Sequence, residues 1–427
     1  MTTILHSLVD WAQKKPSAIA QRYVESGQWK QITAREYADR VYALALFLES
    51  KGMTTEDISV IVSYNCPEWV HLDLAPMLIG AKSAGAYPNS TSKDIHFILN
   101  HTETRFLFVQ NKEYFKKIVG EQGDAGLPAR IKLIIVFDGD TSISPKAVSY
   151  KDALAEGKKL AVVKNAKKLS DYLAQLDPQK GAFLIYTSGT TGSPKAAVLS
   201  HDNLVFAIQT VQKRWELSVG TESVFSFLPL CHIAEKLQNV GAGIYLNYTV
   251  SFASKFENVA AELPQVNPTL LLCVPRLWEK MMEGVLAKVA GATGVKKELA
   301  EWALKVGARV AEIRFSGQSV NLIDHAQLKI ADRLVLGNIR KALGLSKTYV
   351  AASGAAMLPL HVCRWFRSIG LEIMEDYGQT ETAGVLCLTE RHVDSAGTVG
   401  KPADNTEFKI AADGEILTKG RHVFIGY

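Results

Sequence analysis

The sequence lacks several features that would mark a membrane-spanning, metal-binding or secreted protein. None of its apolar runs reaches the roughly 18 residues that a membrane-spanning helix needs, so no transmembrane segment is expected. Its five cysteines lie far apart and form neither a Cys-x-x-Cys motif nor a Cys/His metal spacing, which argues against a zinc site and a disulfide framework. The N-terminus has neither the basic segment nor the apolar core of a signal peptide.

Clusters of one charge are also missing. The net charge of +5 is spread over 427 residues, and no basic run with interleaved aromatic residues occurs. Nucleic acid is therefore not expected as a partner. An odd, scattered set of thiols favours a reducing compartment. We expect a cytoplasmic protein, and the sequence leaves peripheral contact with a membrane open.

Strand-like and helix-like segments alternate along the first part of the chain. A capping-box pattern at Thr33 and Glu36 predicts the start of a helix, and Pro67 suits the first turn of another helix over 67–81. Apolar runs at Ile58–Val62, 105–110 and 132–137 predict strands between helices. This alternation predicts an α/β fold with parallel sheets covered by helices.

The alternation continues beyond residue 180, and the length calls for more than one subdomain. Strands are predicted at 223–227, Thr249–Phe252 and 269–274, and a long helical stretch at 278–345. Asp413-Gly414 between two short apolar segments predicts a hairpin. We divide the chain into a first α/β unit (1–180), a second α/β unit (181–395) and a small β unit (396–427).

One segment carries a specific chemical signal. An apolar run at 182–186 predicts a buried strand, and a loop rich in glycine and hydroxyl groups follows it from Thr187 to Lys195. Such a loop suits phosphate, because glycine lets backbone N–H groups approach the anion and lysine adds a charge. Only two residues separate Gly189 from Gly192, and Pro194 precedes the lysine, so the loop is not the nucleotide-binding loop of P-loop kinases and ATPases.

Together with five later segments, this loop resembles the motifs of the adenylate-forming enzymes, and specifically of the large N-terminal domain in the long-chain fatty acyl-CoA synthetase branch. The segments occur in the family's order. They are Tyr-Thr-Ser-Gly-Thr-Thr-Gly-Ser-Pro-Lys (186–195), Ser-Phe-Leu-Pro-Leu-Cys-His-Ile-Ala-Glu (226–235), Val-Pro-Arg-Leu-Trp-Glu-Lys (274–280), Ala-Ser-Gly-Ala-Ala (352–356), Asp-Tyr-Gly-Gln-Thr-Glu (376–381) and Gly-Thr-Val-Gly-Lys-Pro (397–402).

The resemblance implies the reaction of a fatty acid with ATP and Mg²⁺ to an acyl-adenylate, followed by thioester formation with CoA. It assigns the outer phosphates of ATP to Thr187, Ser188, Gly189, Thr190, Thr191, Gly192 and Lys195. It assigns the adenosine side to Ser353, Gly354, Ala355, Ala356, Asp376, Tyr377, Gly378 and Gln379, the α-phosphate to Thr380 and the Mg²⁺ to Glu381.

Each of these assignments has a plainer alternative. Lys195 could be a solvated loop lysine, Glu381 a carboxylate at a helix start and Tyr377 a buried aromatic without a ligand. The resemblance places His232 beside the acyl carboxylate, whereas a lone histidine is often structural. The neighbouring Cys231 follows a Pro-Leu turn, which does not favour an activated thiolate.

The sequence indicates a medium-to-long acyl chain and leaves the acceptor open. The alternatives are a fatty acyl-AMP ligase that transfers to a carrier protein, and a nucleotide- or acyl-binding module without turnover. The resemblance also implies a smaller C-terminal domain with a ribose aspartate, a hinge and a catalytic lysine. Because residues 1–427 do not contain these parts, we expect the isolated chain to be impaired.

Overall fold

The computed structural model describes residues 2–187, 194–393 and 395–427. The first stretch alternates helices and strands as predicted. Its elements are α1 (Ile4–Lys14), β1 (Ile19–Glu25), β2 (Gln28–Thr33), α2 (Ala34–Ser50), β3 (Ile58–Val62), α3 (Pro67–Ile79), β4 (Lys82–Ala86), α4 (Ser92–His101), β5 (Phe106–Val109), α5 (Lys112–Val119), β6 (Leu133–Val136), β7 (Ala147–Ser149) and α6 (Tyr150–Gln175).

The next stretch contains the longest helical region. Its elements are β8 (Gly181–Thr187), β9 (Lys195–Ser200), α7 (His201–Arg214), β10 (Ser223–Ser226), α8 (Ile233–Glu235), a π-helical segment (Lys236–Ala242), α9 (Gly243–Tyr245), β11 (Thr249–Phe252), α10 (Val259–Val266), β12 (Leu270–Cys273), α11 (Pro275–Ala290), α12 (Val295–Phe315), α13 (Leu322–Ala331), a second π-helical segment (Asp332–Leu336) and α14 (Gly337–Ala342).

The last stretch returns to strands. Its elements are β13 (Val350–Ser353), α15 (Leu360–Ser368), β14 (Ile373–Tyr377), a short turn of 3₁₀-helix (Thr380–Thr382), β15 (Cys387–Leu388), β16 (Lys401–Pro402), β17 (Glu407–Ile410) and β18 (Ile416–Lys419). Within the described ranges, none of the helices is both long enough and apolar enough to cross a membrane.

Three mixed sheets and one hairpin organise these strands. The largest has the order β7-β6-β5-β3-β4-β8-β9 and is parallel except for β9. A second has the order β10-β11-β1-β2, and a third the order β12-β13-β14-β15-β16. The predicted α/β class is confirmed, with antiparallel strands added at sheet edges. The hairpin of β17 and β18 forms around Gly414, whose φ of 89° suits glycine.

The sheets join parts of the chain that are distant in sequence. Strands β8 and β9 complete the sheet formed by β3 to β7, and β11 pairs in parallel with β1. Sheet pairing therefore crosses the predicted boundary at residue 180, and the division into three units remains a prediction.

Local signals predicted several of the elements but missed others, among them β1, β2, β9 and β4. The clearest reason can be given for β4. Its sequence, Lys-Ser-Ala-Gly-Ala, has few of the β-branched and aromatic residues that mark strands. The small residues are needed because the strand lies between β3 and β8 under close packing. A Cβ atom on Gly85 would lie 2.7 Å from Cys231 Cβ and 3.0 Å from the Trp69 ring.

Candidate functional site

A polar cleft of about 670 Å³ opens where several predicted motifs meet. The ends of β8 and β14, the start of β9, the segment before α8 and the turn after β13 form its walls. The residues lining it are Thr187, Lys195, His232, Ile233, Ala234, Ala355, Asp376, Gly378, Gln379, Thr380, Glu381, Gly384 and Tyr427. Segments separated by as many as 240 positions thus face one volume of a size typical of small-molecule sites.

The two ends of the predicted phosphate loop lie at this cleft. Thr187 ends β8 and pairs across the ladder with Lys195, the first residue of β9. Lys195 is therefore the start of a strand rather than a loop residue, and its side chain is exposed. The remaining members of the predicted loop, Ser188, Gly189, Thr190, Thr191 and Gly192, lie outside the described residues.

The Tyr-Gly-Gln-Thr-Glu motif forms a tight turn after β14. Gly378 is required there, because a Cβ atom would lie 2.3 Å from the Gly384 carbonyl oxygen. Thr380 is buried in the turn and Glu381 is half-buried. The Tyr427 hydroxyl donates to Glu381 Oε1 at 2.7 Å, so one carboxylate oxygen has a partner and the group still faces the cleft.

Tyr427 is brought here by pairing of its segment with β9. The amide of Val198 donates to the Gly426 carbonyl at 2.9 Å, and the Ile425 amide donates back to Val198 at 3.0 Å. The ring centroid of Tyr427 lies 4.9 Å from Lys195 Nζ. The predicted phosphate lysine and the predicted metal carboxylate therefore contact one aromatic side chain.

The residues predicted to bind adenosine include the end of β13 with the turn after it, which lie close to the Asp376 carboxylate. The buried Ser353 Oγ lacks a hydrogen-bond partner among the described residues, as does Asp376 Oδ1. Gly354, directly after β13, allows the close approach of Asp376 in β14, since a Cβ atom at position 354 would lie 2.3 Å from Asp376 Oδ1. Burial raises the pKa of Asp376 to about 7. Ala355 has a φ of +67° and lines the cleft, whereas Ala356 is exposed beside it.

Tyr377 does not belong to the core. Its side chain is 41% exposed at the end of β14, so the interpretation as a buried structural aromatic is wrong. An exposed ring beside the cleft is available for stacking on a planar ligand.

His232 caps a helix at the boundary between polar and apolar surroundings. Its Nδ1 accepts a hydrogen bond from the Ala234 amide at 3.3 Å, and burial lowers its pKa. Neutral histidine with Nδ1 as acceptor carries its proton on Nε2, which makes Nε2 a donor. Burial raises the pKa of the neighbouring Cys231 to about 12, so this thiol stays protonated, as the sequence indicated.

A narrow apolar cavity adjoins the polar cleft. The two share Ala234, Asp376 and Gly384. Helix α7, the first π-helical segment and β12 supply seven of its sixteen lining residues. The residues lining it are Ile208, Val211, Trp215, Leu217, Ala234, Leu237, Gln238, Ala242, Leu246, Tyr248, Leu270, Leu272, Asp376, Gly384, Val385 and Leu388. Its free volume is about 50 Å³, so a long aliphatic chain requires the walls to move apart.

A buried polar network supports the segment that carries His232. Glu235 Oε1 accepts hydrogen bonds from Ser226 Oγ at 2.7 Å and Asn65 Nδ2 at 3.1 Å. Lys236 Nζ donates to Asp73 Oδ1 at 2.6 Å, and both side chains are about 1% exposed. No local sequence pattern marks these partners, because Asn65 and Asp73 lie more than 160 positions from Glu235 and Lys236.

The family model of the AMP-binding enzyme matches residues 8–427. The chain belongs to the AMP-binding enzyme family. It is 32% identical over 410 residues to the long-chain-fatty-acid–CoA ligase FadD15 of Mycobacterium bovis, covering 96% of this chain and 65% of that protein. It is 28% identical over 437 residues to the long-chain-fatty-acid–CoA ligase ACSBG2 of Xenopus laevis, covering 100% of this chain and 58% of that protein.

The fold agrees with a solved member of this group. The crystal structure of the N-terminal domain of FACL13 from Mycobacterium tuberculosis matches with a TM-score of 0.71 at 15% identity, covering 100% of this chain and 91% of that one. The chain spans about three fifths of the length of the curated relatives named above. The relatives thus establish family and fold, and the roles of single residues remain predictions.

Proposed function

We propose that this AMP-binding family chain activates a medium- or long-chain fatty acid with ATP to an acyl-adenylate, and that the acyl group then passes to CoA. One observation carries the proposal: the polar cleft with Lys195 and Glu381 adjoins the apolar cavity, and the two share Ala234, Asp376 and Gly384 as lining residues. A carboxylate at this junction would meet a nucleotide on one side and bury its tail on the other. The names of the relatives support the same reaction.

The first step joins two anions. A carboxylate oxygen bonds to the α-phosphorus while the bond from that phosphorus to the bridging oxygen breaks, and pyrophosphate leaves with the electron pair. Positioned donors and cations are the main requirement for such a transfer. Lys195 supplies a cation for the outer phosphates, and the Thr380 hydroxyl is a donor for the α-phosphate. The His232 Nε2–H provides a neutral donor for the carboxylate.

The cleft also fits a divalent cation that the family implies. The described residues contain no group of three or more histidine, cysteine or acidic side chains that could hold a metal. Mg²⁺ suits a site with one or two carboxylates plus substrate phosphates, and Glu381 is a carboxylate facing this cleft. Bound there, Mg²⁺ would neutralise charge on the phosphates.

The second step needs no nucleophile from the cleft. The CoA thiolate attacks the acyl carbonyl, and AMP leaves with the electrons of the broken acyl–oxygen bond. Cys231 would have to ionise to form a competing acyl-enzyme, and the burial that raises its pKa to about 12 opposes this. We therefore propose direct transfer from adenylate to CoA.

The acyl tail would occupy the apolar cavity. Each methylene moved from water into this cavity contributes about 0.8 kcal/mol, so affinity should rise with chain length until the walls resist. The first π-helical segment supplies Leu237, Gln238 and Ala242 to the wall. Such segments are frequent at functional sites, and this one is the element that must shift to admit a long chain.

The test combines three assays on one preparation. Pyrophosphate exchange with fatty acids of increasing length should climb towards laurate or palmitate, and CoA should be consumed to form a thioester. Transfer of the acyl group to a carrier protein rather than to CoA would identify an acyl-AMP ligase, and nucleotide binding without pyrophosphate exchange would favour a binding module. Acetate or an amino acid outperforming the long acids would refute the acyl assignment.

A pair of variants tests whether the acyl chain occupies the apolar cavity. Leu237→Trp adds volume to the cavity wall and should shift the optimum to shorter acids, whereas Leu322→Trp changes a side chain that is 89% exposed and should not. An unchanged optimum in both variants would place the acyl chain elsewhere.

A further inference from the structure

A second large cleft lies in the helical layer, apart from the nucleotide cleft. Its volume is about 950 Å³, and it shares none of its lining residues with the polar cleft or the apolar cavity. Helices α12 and α13 and the second π-helical segment form one wall. The end of α15, the loop before β13 and the residues around Glu372 and Arg391 form the other.

The lining of this second cleft is strongly basic. Six arginine and lysine side chains face two carboxylates, Asp332 and Glu372, which leaves an excess of four positive charges. The chain as a whole carries only +5, so much of its net charge is concentrated at one concave surface. The six basic residues are Arg314, Lys329, Arg333, Arg340, Arg367 and Arg391.

The two walls hold these charges in different ways. Arg340 forms an ion pair with Asp332 at 2.8 Å, and Arg391 lies over the Tyr349 ring at 5.2 Å. The buried Arg391 Nε makes no hydrogen bond to the described residues. Arg391 Nη1 does form an ion pair with Glu216 Oε2 at 3.6 Å, whereas Arg314, Lys329 and Arg333 have no ion pair among the residues that the structure describes.

We propose that this second cleft binds an anion carrying two or more phosphate groups. Like charges on opposite walls repel one another, and an anion that reaches both walls removes that repulsion. Arginine forks match phosphate oxygens in pairs, which favours phosphate over a single carboxylate. The volume suits a small ligand or a lipid headgroup rather than an extended polymer. The inference does not depend on the proposed reaction, because a different surface carries it.

The experiment uses inorganic tripolyphosphate as the probe and calorimetry as the readout. Since the nucleotide cleft also attracts polyphosphate, the titration is made in the Lys195→Ala protein. Lys329→Gln with Arg333→Gln should weaken the remaining binding by about tenfold or more, because charge-assisted bonds are lost. Lys297→Gln with Lys305→Gln removes the same charge from exposed positions of α12 outside the cleft and should leave binding within about twofold.

Two further arms complete the test. Binding of tripolyphosphate but not of phosphatidylcholine vesicles containing a polyphosphoinositide would identify a soluble ligand, and the reverse preference a lipid headgroup. If the double variant loses its cooperative thermal transition, Arg314→Gln on the same wall replaces it. Equal weakening by the cleft and control pairs, or no weakening by either cleft variant, would overturn the proposal.

Discussion

Two sets of one lysine and one glutamate, Lys236 with Glu235 and Lys195 with Glu381, have opposite surroundings in this protein. In neither set do the lysine and the glutamate form an ion pair with each other in the described structure. Glu235 and Lys236 are each 1% exposed and have hydrogen-bond partners from distant strands and helices. Lys195 is exposed and Glu381 half-buried, and what they contact is Tyr427 at the mouth of the polar cleft. The first pair fixes the segment that forms the junction of the two cavities. The second pair is available to a ligand at that junction.

The difference shows that residue type alone does not separate structural from functional charge. A buried charge must be paired, because leaving one partner unpaired in a low-dielectric interior is costly. A charge at a cleft mouth keeps its hydration and can exchange it for a substrate. We therefore expect changes in the buried pair to appear in stability and changes in the exposed pair to appear in binding and turnover.

The largest effect is expected at Lys236. Lys236→Ala leaves the Asp73 carboxylate buried without its cation and should lower the free energy of unfolding by about 3–5 kcal/mol. Lys195→Ala is the matched control and should change it by less than about 0.5 kcal/mol. Urea denaturation of the two variants measures both values. Similar losses in both would break the comparison.

The next effect concerns pH. Burial raises the pKa of Glu235 from its ordinary 4.5 to about 8. A carboxyl group with a raised folded-state pKa contributes stability that is fully present below pH 4.5 and is lost as pH rises through about 8. The displacement of this pKa corresponds to a loss of several kcal/mol.

Glu235→Gln keeps a neutral side chain and should flatten the dependence of unfolding free energy on pH across this window. Glu415→Gln in the exposed hairpin should leave that dependence unchanged. Denaturation curves at several pH values provide the measurement. If the unfolding free energy of Glu235→Gln still falls with pH across this window, another titrating group causes the pH dependence.

Glu381 should show a catalytic effect with little structural cost. Glu381→Gln keeps the shape of the side chain and removes the charge that a cation needs, so pyrophosphate exchange should fall by about a hundredfold or more. The melting temperature should stay close to that of the unmodified protein, because the carboxylate is half-buried and, among the described residues, its side-chain hydrogen bond is to Tyr427. A parallel collapse of stability would make Glu381 structural.

The smallest effect is expected for nucleotide binding at Lys195. Lys195→Ala should weaken the binding of ATP by about tenfold and leave the binding of AMP nearly unchanged, because the lysine is predicted to contact the outer phosphates. Calorimetric titration with both nucleotides measures the ratio. Equal weakening of ATP binding and AMP binding would indicate that Lys195 contacts the α-phosphate or the sugar instead.

Local patterns in the sequence predicted the family motifs and several of the elements. The capping box at Thr33 and Glu36, the strand Thr249–Phe252 and the hairpin at Gly414 occur where the sequence places them. Each depends on a few neighbouring residues, so a linear pattern is enough to find it. Strand β4 was missed because its small residues are selected by packing against Trp69 and Cys231, which are near only in the fold.

The sequence by itself determined the α/β class and the order of the motifs, and it predicted which residues are offered to phosphate, metal and adenosine. Only the tertiary structure decided that Tyr377 is exposed, that Lys195 begins a strand and that Asp73 neutralises Lys236. It also decided that the polar cleft adjoins an apolar cavity at Ala234, Asp376 and Gly384. The physical reason is that burial, pairing of charges and the joining of cavities depend on distances between segments far apart in the chain, which periodicity and spacing do not encode.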